Sequence, residues 1–239
     1  MNDFFSDRLG SPLEWFGLAH ILLTLGFIAT VVLLWIFAPK LKGRKDERWF
    51  RYILVAVVFL FEWPVFESRM LTGSPFRMPL CAVALYGLTY AVLFKKEKVF
   101  NVVYFYAFGS LLSFIFYDTE WGLDRWYGWT FFGAHATIAW LAVYGYRALG
   151  FTPVKRDLGR AYLFLAIYAA ISLYATLRFG GSDELFLVTP PVAFLDPLVE
   201  IHPLVYLVPF MAFAALLVFA MYLPIWLTEK KRAKIPQQE

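Results

Sequence analysis

Long apolar runs, separated by short polar or charged breaks, are the main pattern of this chain. Runs such as ILLTLGFIATVVLLWIF contain no charged residue and do not alternate between apolar and polar positions. Apolar runs of about 18 residues or more predict transmembrane helices. Backbone groups in a bilayer must bond to one another, which leaves helices or a closed barrel, and barrel strands would alternate over roughly ten residues. The pattern therefore predicts an all-α, polytopic membrane protein.

Turn and charge signals divide the pattern into seven predicted spans. The breaks are segments such as APKLKGRKDER, TGSPFR, KKEK and DTEWGLDR, in which charges, glycine and proline end a helix. Because no internal repeat separates them, we expect a single seven-transmembrane-helix bundle over residues 1–239. The spans lie near residues 17–38, 51–68, 77–94, 99–117, 129–149, 158–178 and 204–227.

Lysine and arginine fall mostly on one side of these spans. Of the 22 Lys and Arg residues, 17 lie in the first, third and fifth connections and the C-terminal tail, and five lie on the other side. Cytoplasmic loops carry the excess of positive charge. The N-terminus is thus predicted outside and the C-terminus in the cytoplasm, as an odd number of spans requires. The net charge of +4 is then a topology signal, and we expect no nucleic-acid partner.

Composition adds two points. Of the residues, 61% are hydrophobic and only 17% are charged, whereas soluble domains have about 25% charged residues. The N-terminal segment MNDFFSDRLG lacks the basic start of a cleavable signal peptide, so the first apolar run is expected to remain as a helix. The chain is therefore predicted to be an integral, multi-pass membrane protein.

Ionisable residues within membrane spans are rare and tend to mark function, and here they share the predicted outer half. His20 lies near the start of the first span, Glu62 late in the second and Cys81 early in the third. Asp118 stands at the outer end of the fourth span, and His135 lies early in the fifth. These residues come from different helices but have a similar depth, which makes them candidates for one site.

Cys81 is the only cysteine in the chain. A buried thiol in apolar surroundings is usually an inert core filler. A thiol in the first turns of a helix and near a cation is more reactive, and Arg77 lies four residues before Cys81. A histidine of similar depth, such as His135, would complete a Cys–His pair. Both interpretations of this cysteine remain open from the residues alone.

The histidines also allow a metal site as an alternative. Zinc accepts three protein ligands and a water, and His20, His135 and His202 together with Asp118 supply suitable donors. No HxxxH or HExxH spacing occurs, so each ligand would come from a separate segment. We expect no metal and no cofactor for the main hypothesis, and a metal-dependent membrane hydrolase is kept as an alternative.

The segment 179–203 is long for a connection within a compact bundle. Long loops of this kind are usually functional or disordered, and this one is apolar. Its four prolines, at positions 190, 191, 197 and 203, prevent one continuous helix. We therefore predict an outer-face loop or lid over the side that holds the polar residues.

Several motifs resemble those of the YwaF-like membrane proteins, relatives of transmembrane protein 164. They are FGLAHILLTL, MPLCAVALYGL, GSLLSFIFYD, FFGAHATIAWLAVYG, DELFLVTPP and YLPIWL, and the resemblance covers most of residues 15–227. It implies transfer of a fatty acyl chain between phospholipid and lysophospholipid through a cysteine acyl-enzyme, with Cys81 and His135 at the motif positions. The chain departs from the pattern at Pro79 and Leu80, where relatives often carry a histidine. It departs again at residues 183–184, where they often carry an Asn–Tyr pair.

Three hypotheses arise for function. In the first, the chain is a phospholipid acyltransferase or lipid hydrolase with Cys81 as nucleophile and His135 as base, oriented by His20 or Asp118. In the second, it is a non-enzymatic membrane subunit or lipid-binding scaffold of a larger membrane protein complex. The third is the metal-dependent hydrolase. In each case the partners are membrane lipids, and the resemblance implies the bacterial cytoplasmic membrane.

Overall fold

The computed structural model describes residues 3–5, 10–11, 13–71, 78–117, 119, 121–179, 183–192 and 195–233. Two of the predicted site residues, Arg77 and Asp118, lie outside these ranges. Within them every regular element is helical, which confirms the predicted all-α class. The α-helices are α1 Leu18–Phe37, α2 Glu47–Leu71, α3 Leu80–Leu93, α4 Glu97–Val103, α5 Phe108–Ile115, α6 Trp126–Tyr144, α7 Lys155–Phe179, α8 Asp196–Ile201, α9 Pro203–Ala220 and α10 Leu223–Ala233.

Five helical segments of the described chain are long and apolar enough to cross a membrane. A helix rises 1.5 Å per residue, so about 20 residues span the hydrocarbon core of roughly 30 Å. Each of the five segments coincides with one of the predicted spans, and the chain is a multi-pass membrane protein. The five segments are Leu18–Leu41, Glu47–Glu67, Glu97–Ile115, Lys155–Phe179 and Pro203–Leu227.

Two further helices lie where the remaining spans were predicted, but they differ from the other five. The helix α3 has only 14 residues. The helix α6 has 19 residues, of which 11 are buried, and it packs against α1, α2, α3 and α5. A helix surrounded by protein meets little lipid, and this explains why α6 tolerates His135, threonines and glycines among its apolar residues.

The span predicted over 99–117 is not one continuous α-helix. The helix α4 passes into a 3-10 turn at Tyr104–Tyr106, and α5 begins at Phe108. All three residues of the turn are buried, and the Tyr106 hydroxyl donates a hydrogen bond to the Ala161 carbonyl of α7 at 2.7 Å. Irregular backbone within a membrane is tolerated where protein surrounds it. The break lets α5 pack against α6.

Ionic and hydrogen bonds hold together the end of the bundle that carries Lys42, Lys95 and Lys155, here called the basic end. The buried Glu47 carboxylate accepts hydrogen bonds from Lys95 Nζ at 2.8 Å and from the Tyr144 hydroxyl at 2.7 Å. It also lies 3.3 Å from Arg51 Nε. These contacts join the start of α2 to the ends of α3 and α6, so the basic end is closed by polar contacts.

The predicted loop 179–203 is folded in its described parts. It contains the short helix α8, and the Asp183 carboxylate accepts hydrogen bonds from the backbone N–H groups of residues 187–189 at 2.7–2.8 Å. The Tyr206 hydroxyl of α9 donates a hydrogen bond to the Phe186 carbonyl. The loop is thus tied both to itself and to the start of α9.

Candidate functional site

A cavity of about 1050 Å³ lies between α2, α3, α5, α6, α7, α9 and the 183–203 loop. Its volume is at the upper end of the range of about 300–1,000 Å³ typical of ligand pockets. Most of its wall is apolar, with a small number of polar groups, which is the pattern of a site for a largely apolar ligand. The polar and charged lining residues are Glu62, Arg69, Cys81, Ser113, Thr119, Tyr127, Thr130, His135, Glu184 and Tyr206.

Three of the predicted site residues line this one cavity. Cys81 comes from the first turn of α3, His135 from the third turn of α6, and Glu62 from the second half of α2. The sequence placed them on separate helices at a similar depth, and the structure brings them to the same space. His20 and His202 are not among the residues that line it.

Cys81 sits at the start of α3 because Pro79 ends the preceding segment and the helix begins at Leu80. The first N–H groups of a helix have no partner within the helix, and they carry its positive dipole end. Cys81 directly precedes Ala82 and Val83, whose N–H groups donate to the Pro79 carbonyl at 2.9 and 3.1 Å. The thiol is otherwise packed against the apolar core. A thiolate here depends on these backbone dipoles and on charges in the cavity wall.

His135 is nine-tenths buried, and its ring orientation is fixed. Its Nδ1 lies 2.7 Å from the Phe131 carbonyl oxygen. Since a carbonyl can only accept, Nδ1 carries the proton and Nε2 carries the lone pair. Within the described residues Nε2 has no hydrogen-bond partner. The backbone at this point is held by Ser110, whose hydroxyl donates to the His135 carbonyl at 2.7 Å. This is the tautomer that a general base requires.

His20 uses both ring nitrogens in contacts that join α1 to α5. Its Nε2–H donates to the Phe114 carbonyl at 2.6 Å, and its Nδ1 accepts from the Phe16 N–H at 2.9 Å. Only 2% of the side chain is exposed, and the ring makes an edge contact with Tyr117. His20 therefore links two segments, and the group that orients His135 by a hydrogen bond is the backbone carbonyl within α6.

Of the donors named for a metal site, the three histidines lie in the described part of the chain, and they do not form a metal-binding group there. His202 is exposed, and its Nδ1 caps α9 by accepting from the Leu204 N–H at 3.2 Å. His20 has both nitrogens engaged. Among the described residues no group of three His, Cys, Asp or Glu side chains could hold a metal ion.

Glu62, Arg69 and Tyr86 form a polar cluster between α2 and α3. Only Glu62 of this cluster was among the predicted site residues. The Glu62 carboxylate accepts from Arg69 Nη1 at 3.3 Å and from the Tyr86 hydroxyl, and Arg69 Nη1 also lies 3.2 Å from that hydroxyl. Glu62 and Arg69 are seven residues apart, or two helical turns, so they share a face of α2. That spacing of opposite charges in an apolar helix was the available signal.

The 183–203 loop covers one side of the cavity. Residues 184–187 together with Pro191, Val192, Leu195 and Leu198 contribute to its wall, and the Asp183 hydrogen bonds hold the first of these segments in place. Described residues of this loop therefore line the same cavity as Cys81 and His135, and the outer-face position of the loop stays a prediction.

The N-terminal segment is held beside α5 by a separate contact. The Tyr117 hydroxyl donates to the Leu13 carbonyl. Burial and the nearby Glu14 carboxylate raise the pKa of Tyr117, so the hydroxyl keeps the proton with which it donates. Residues before α1 are thereby fixed at the same end of the bundle as the cavity.

The comparison with protein-family models gives one match, described as the TMEM164 family, over residues 15–223. The matched range includes α1 to α9 and every residue that lines the cavity. No curated protein and no solved structure matches the chain. The resemblance found in the sequence motifs is therefore confirmed at the level of the family.

Proposed function

Since the chain belongs to the TMEM164 family, we propose that it is a membrane enzyme that transfers or hydrolyses fatty acyl chains of phospholipids through Cys81 and His135. The observation that carries this proposal is that the single thiol and a histidine with a free Nε2 line the same apolar cavity. A thiol and a base within one cavity are the minimum for nucleophilic acyl transfer.

The cavity suits a lipid better than a polar substrate. Its wall comes mainly from leucine, phenylalanine, alanine and proline side chains, against which an acyl chain gains favourable burial. The few polar groups include Cys81 and His135, and they would face an ester rather than the hydrocarbon. Phospholipid or lysophospholipid is accordingly the proposed substrate class.

The chemistry follows a thioester route. His135 Nε2 takes the proton of the Cys81 thiol, and the sulfur bonds to the ester carbonyl carbon. The C–O bond to glycerol then breaks, and His135 returns the proton to the leaving oxygen. In the second half, an acceptor hydroxyl gives its proton to His135 and attacks the thioester, and the C–S bond breaks. A lysophospholipid acceptor gives transfer, and water gives hydrolysis.

The backbone at the start of α3 would assist the charged intermediate. Attack on an ester places negative charge on the carbonyl oxygen, and preorganised N–H donors stabilise such an oxyanion. Of the first N–H groups of α3, those of Ala82 and Val83 already donate to the Pro79 carbonyl. We therefore assign this role in the proposed mechanism to the N–H of Cys81 itself, beside the attacking sulfur.

We also propose that α3 and α6 complete a seven-span topology with the N-terminus outside and the C-terminus in the cytoplasm of a bacterium. The cavity would then open toward the outer side of the cytoplasmic membrane. The positive charge of the basic end supports this orientation, because Lys and Arg gather in cytoplasmic loops. Four of the cations also lie over aromatic rings, which are enriched at both membrane interfaces. The pairs are Lys40 with Phe37, Arg48 with Trp49, Arg147 with Trp35 and Lys230 with Trp226.

The test is an acyl-exchange assay on purified protein in liposomes that contain labelled phospholipid and lysophospholipid. Cys81→Ala is expected to abolish exchange, and His135→Ala to lower the rate by about 100-fold or more, the usual scale of a general base. His202→Ala, an exposed residue outside the cavity, is the matched control and should retain full activity. Undiminished exchange by both Cys81→Ala and His135→Ala would refute the mechanism. Lipid binding without any turnover would favour the scaffold hypothesis.

A further inference from the structure

Charged side chains in the cavity wall bear directly on the reactivity of Cys81. Among the described residues that line the cavity, the charged ones are Glu62, Arg69 and Glu184. Arg69 is the cation of this set. Arg69 and Glu62 line the same cavity as Cys81, and Arg69 contacts Tyr86, five residues after Cys81 on α3. Charges of opposite sign would act on the sulfur in opposite directions. In apolar surroundings such charges are poorly screened, so each can change the reactivity of the thiol.

Arg69 is held in a fixed position by two neighbours. Its Nη1 donates to the Glu62 carboxylate at 3.3 Å, and the Tyr86 hydroxyl lies 3.2 Å away. Glu62 is on the same helix as Arg69, whereas Tyr86 is on α3, the helix that carries Cys81. The guanidinium therefore bridges α2 and α3 at Tyr86, five residues after Cys81, and only 15% of its side chain is exposed.

We infer that Arg69 is a positioning residue for the nucleophile: fixed by Glu62 and Tyr86, it stabilises the thiolate of Cys81. Glu62 orients the cation but its own charge opposes the thiolate. The biological role of this thiolate rests on the proposed function, because acyl transfer through Cys81 requires a stabilised thiolate. Its effect on the sulfur is measured without any lipid substrate.

A merely structural ion pair between α2 and α3 makes a different prediction. Breaking such a pair from either side would loosen the same contact, so substitutions of Arg69 and of Glu62 would change the thiol in the same direction. An electrostatic role gives opposite signs, since one residue supplies positive charge and the other negative charge. The sign of the two effects therefore separates the alternatives.

The chain offers a direct readout, because Cys81 is its only cysteine. The second-order rate constant for alkylation by N-ethylmaleimide, measured on the purified full chain at one pH below 8, reports the thiolate population of this residue alone. The reagent is neutral, so the charges do not steer its approach. The other titratable groups of this region stay constant across the variants: His135 of α6 and Glu184 of the loop, which line the cavity, and Tyr168 of α7, which bonds to the Met78 carbonyl just before α3.

Arg69→Met is expected to slow alkylation on the order of tenfold, as removal of one nearby charge in a poorly solvated site predicts. Arg69→Lys keeps the charge and should restore most of the rate. Glu62→Gln keeps the hydrogen-bonding oxygen but removes the opposing charge, and it should raise the rate. Tyr86→Phe keeps both charges but removes one of the two contacts that hold Arg69, so it should slow alkylation by less than Arg69→Met does.

Thermal unfolding in detergent accompanies each variant. If Arg69→Met does not fold, the alkylation rates of Glu62→Gln and Tyr86→Phe still test the inference. Only the electrostatic role makes Glu62→Gln react faster than the unchanged protein. A rate equal to or below that of the unchanged protein in Glu62→Gln overturns the inference, as does a slow Arg69→Lys. Failure of the proposed acyl transfer is a separate outcome, and full activity of Cys81→Ala in the acyl-exchange assay would reveal it.

Discussion

The Asp183 carboxylate organises the loop that covers the cavity, and its removal has a calculable effect. In Asp183→Ala, three backbone N–H groups lose a charged acceptor, those of Leu187, Val188 and Thr189, at 2.7–2.8 Å. Hydrogen bonds to charged groups contribute about 1.5–3 kcal/mol each when buried. Val188 and Thr189 are exposed, so water can bond to their N–H groups once the carboxylate is removed. The free energy lost with each of these two bonds is therefore about 1 kcal/mol.

Adding about 1.5 kcal/mol for the partly buried Leu187 bond gives roughly 3.5 kcal/mol against the closed loop. Every 1.4 kcal/mol corresponds to a factor of ten in an equilibrium constant. Amide hydrogen exchange at residues 187–189 should therefore become about 300-fold faster, because exchange reports the free energy of local opening. The helices outside the loop should exchange as before, since their contacts do not involve Asp183.

Mass spectrometry of the purified chain after deuterium labelling measures this directly. Asp196→Asn, an acid at the start of α8 in the same loop, is the matched control and should leave residues 187–189 unchanged. Asp183→Asn keeps one acceptor oxygen and should fall between the unchanged protein and Asp183→Ala. Unaltered exchange in Asp183→Ala would show that the loop is held by other contacts, and the reasoning would fail.

Two predictions concern the packing of the bundle. Glu47→Ala leaves its buried arginine partner without a counter-ion and should destabilise the fold by about 3 kcal/mol or more, seen as a lower thermal midpoint in detergent. Asp46→Ala, whose ion pair is exposed, should have little effect, and equal losses would contradict the role of the network. A Cβ at Gly133 would lie 2.4 Å from the Phe61 ring, so Gly133→Ala should cost about 1–3 kcal/mol. Gly26→Ala meets open space and should be neutral; a stable Gly133→Ala would refute the close packing.

The depth of the candidate residues could be predicted from the sequence, because apolar runs fix the helices and the helices fix the distance of a residue from each end. Cys81, Glu62 and His135 were placed in one half of the bundle in this way, and all three line the cavity. The family was also within reach of the motifs. Properties that depend only on position along a helix were therefore accessible without a structure.

Contacts between helices were not accessible in the same way. His20 finds its partner Phe114 at a distance of 94 residues along the chain, and nothing in the apolar pattern selects that carbonyl over another. The break at Tyr104–Tyr106 depends on the Tyr106 bond to Ala161, while the local sequence is as apolar as a continuous helix would be. An apolar run does not show whether a residue faces lipid or another helix. Hydropathy therefore carries no information about how one helix is rotated against its neighbour.

The short helix α3 has a consequence for where the proposed reaction would take place. Cys81 is 12 residues from Leu93, the last residue of α3, so about 18 Å of helix separates them. If Leu93 lies at one boundary of a hydrocarbon layer of roughly 30 Å, the sulfur would lie about 12 Å beneath the opposite boundary. A lipid would reach it by sideways diffusion within its own leaflet. Lifting a sixteen-carbon chain into water would cost on the order of 12 kcal/mol, and this arrangement avoids that step. The effective substrate concentration is then set by the two-dimensional composition of the bilayer, and enrichment of one lipid around the protein would act as directly on the rate as a change in the catalytic residues.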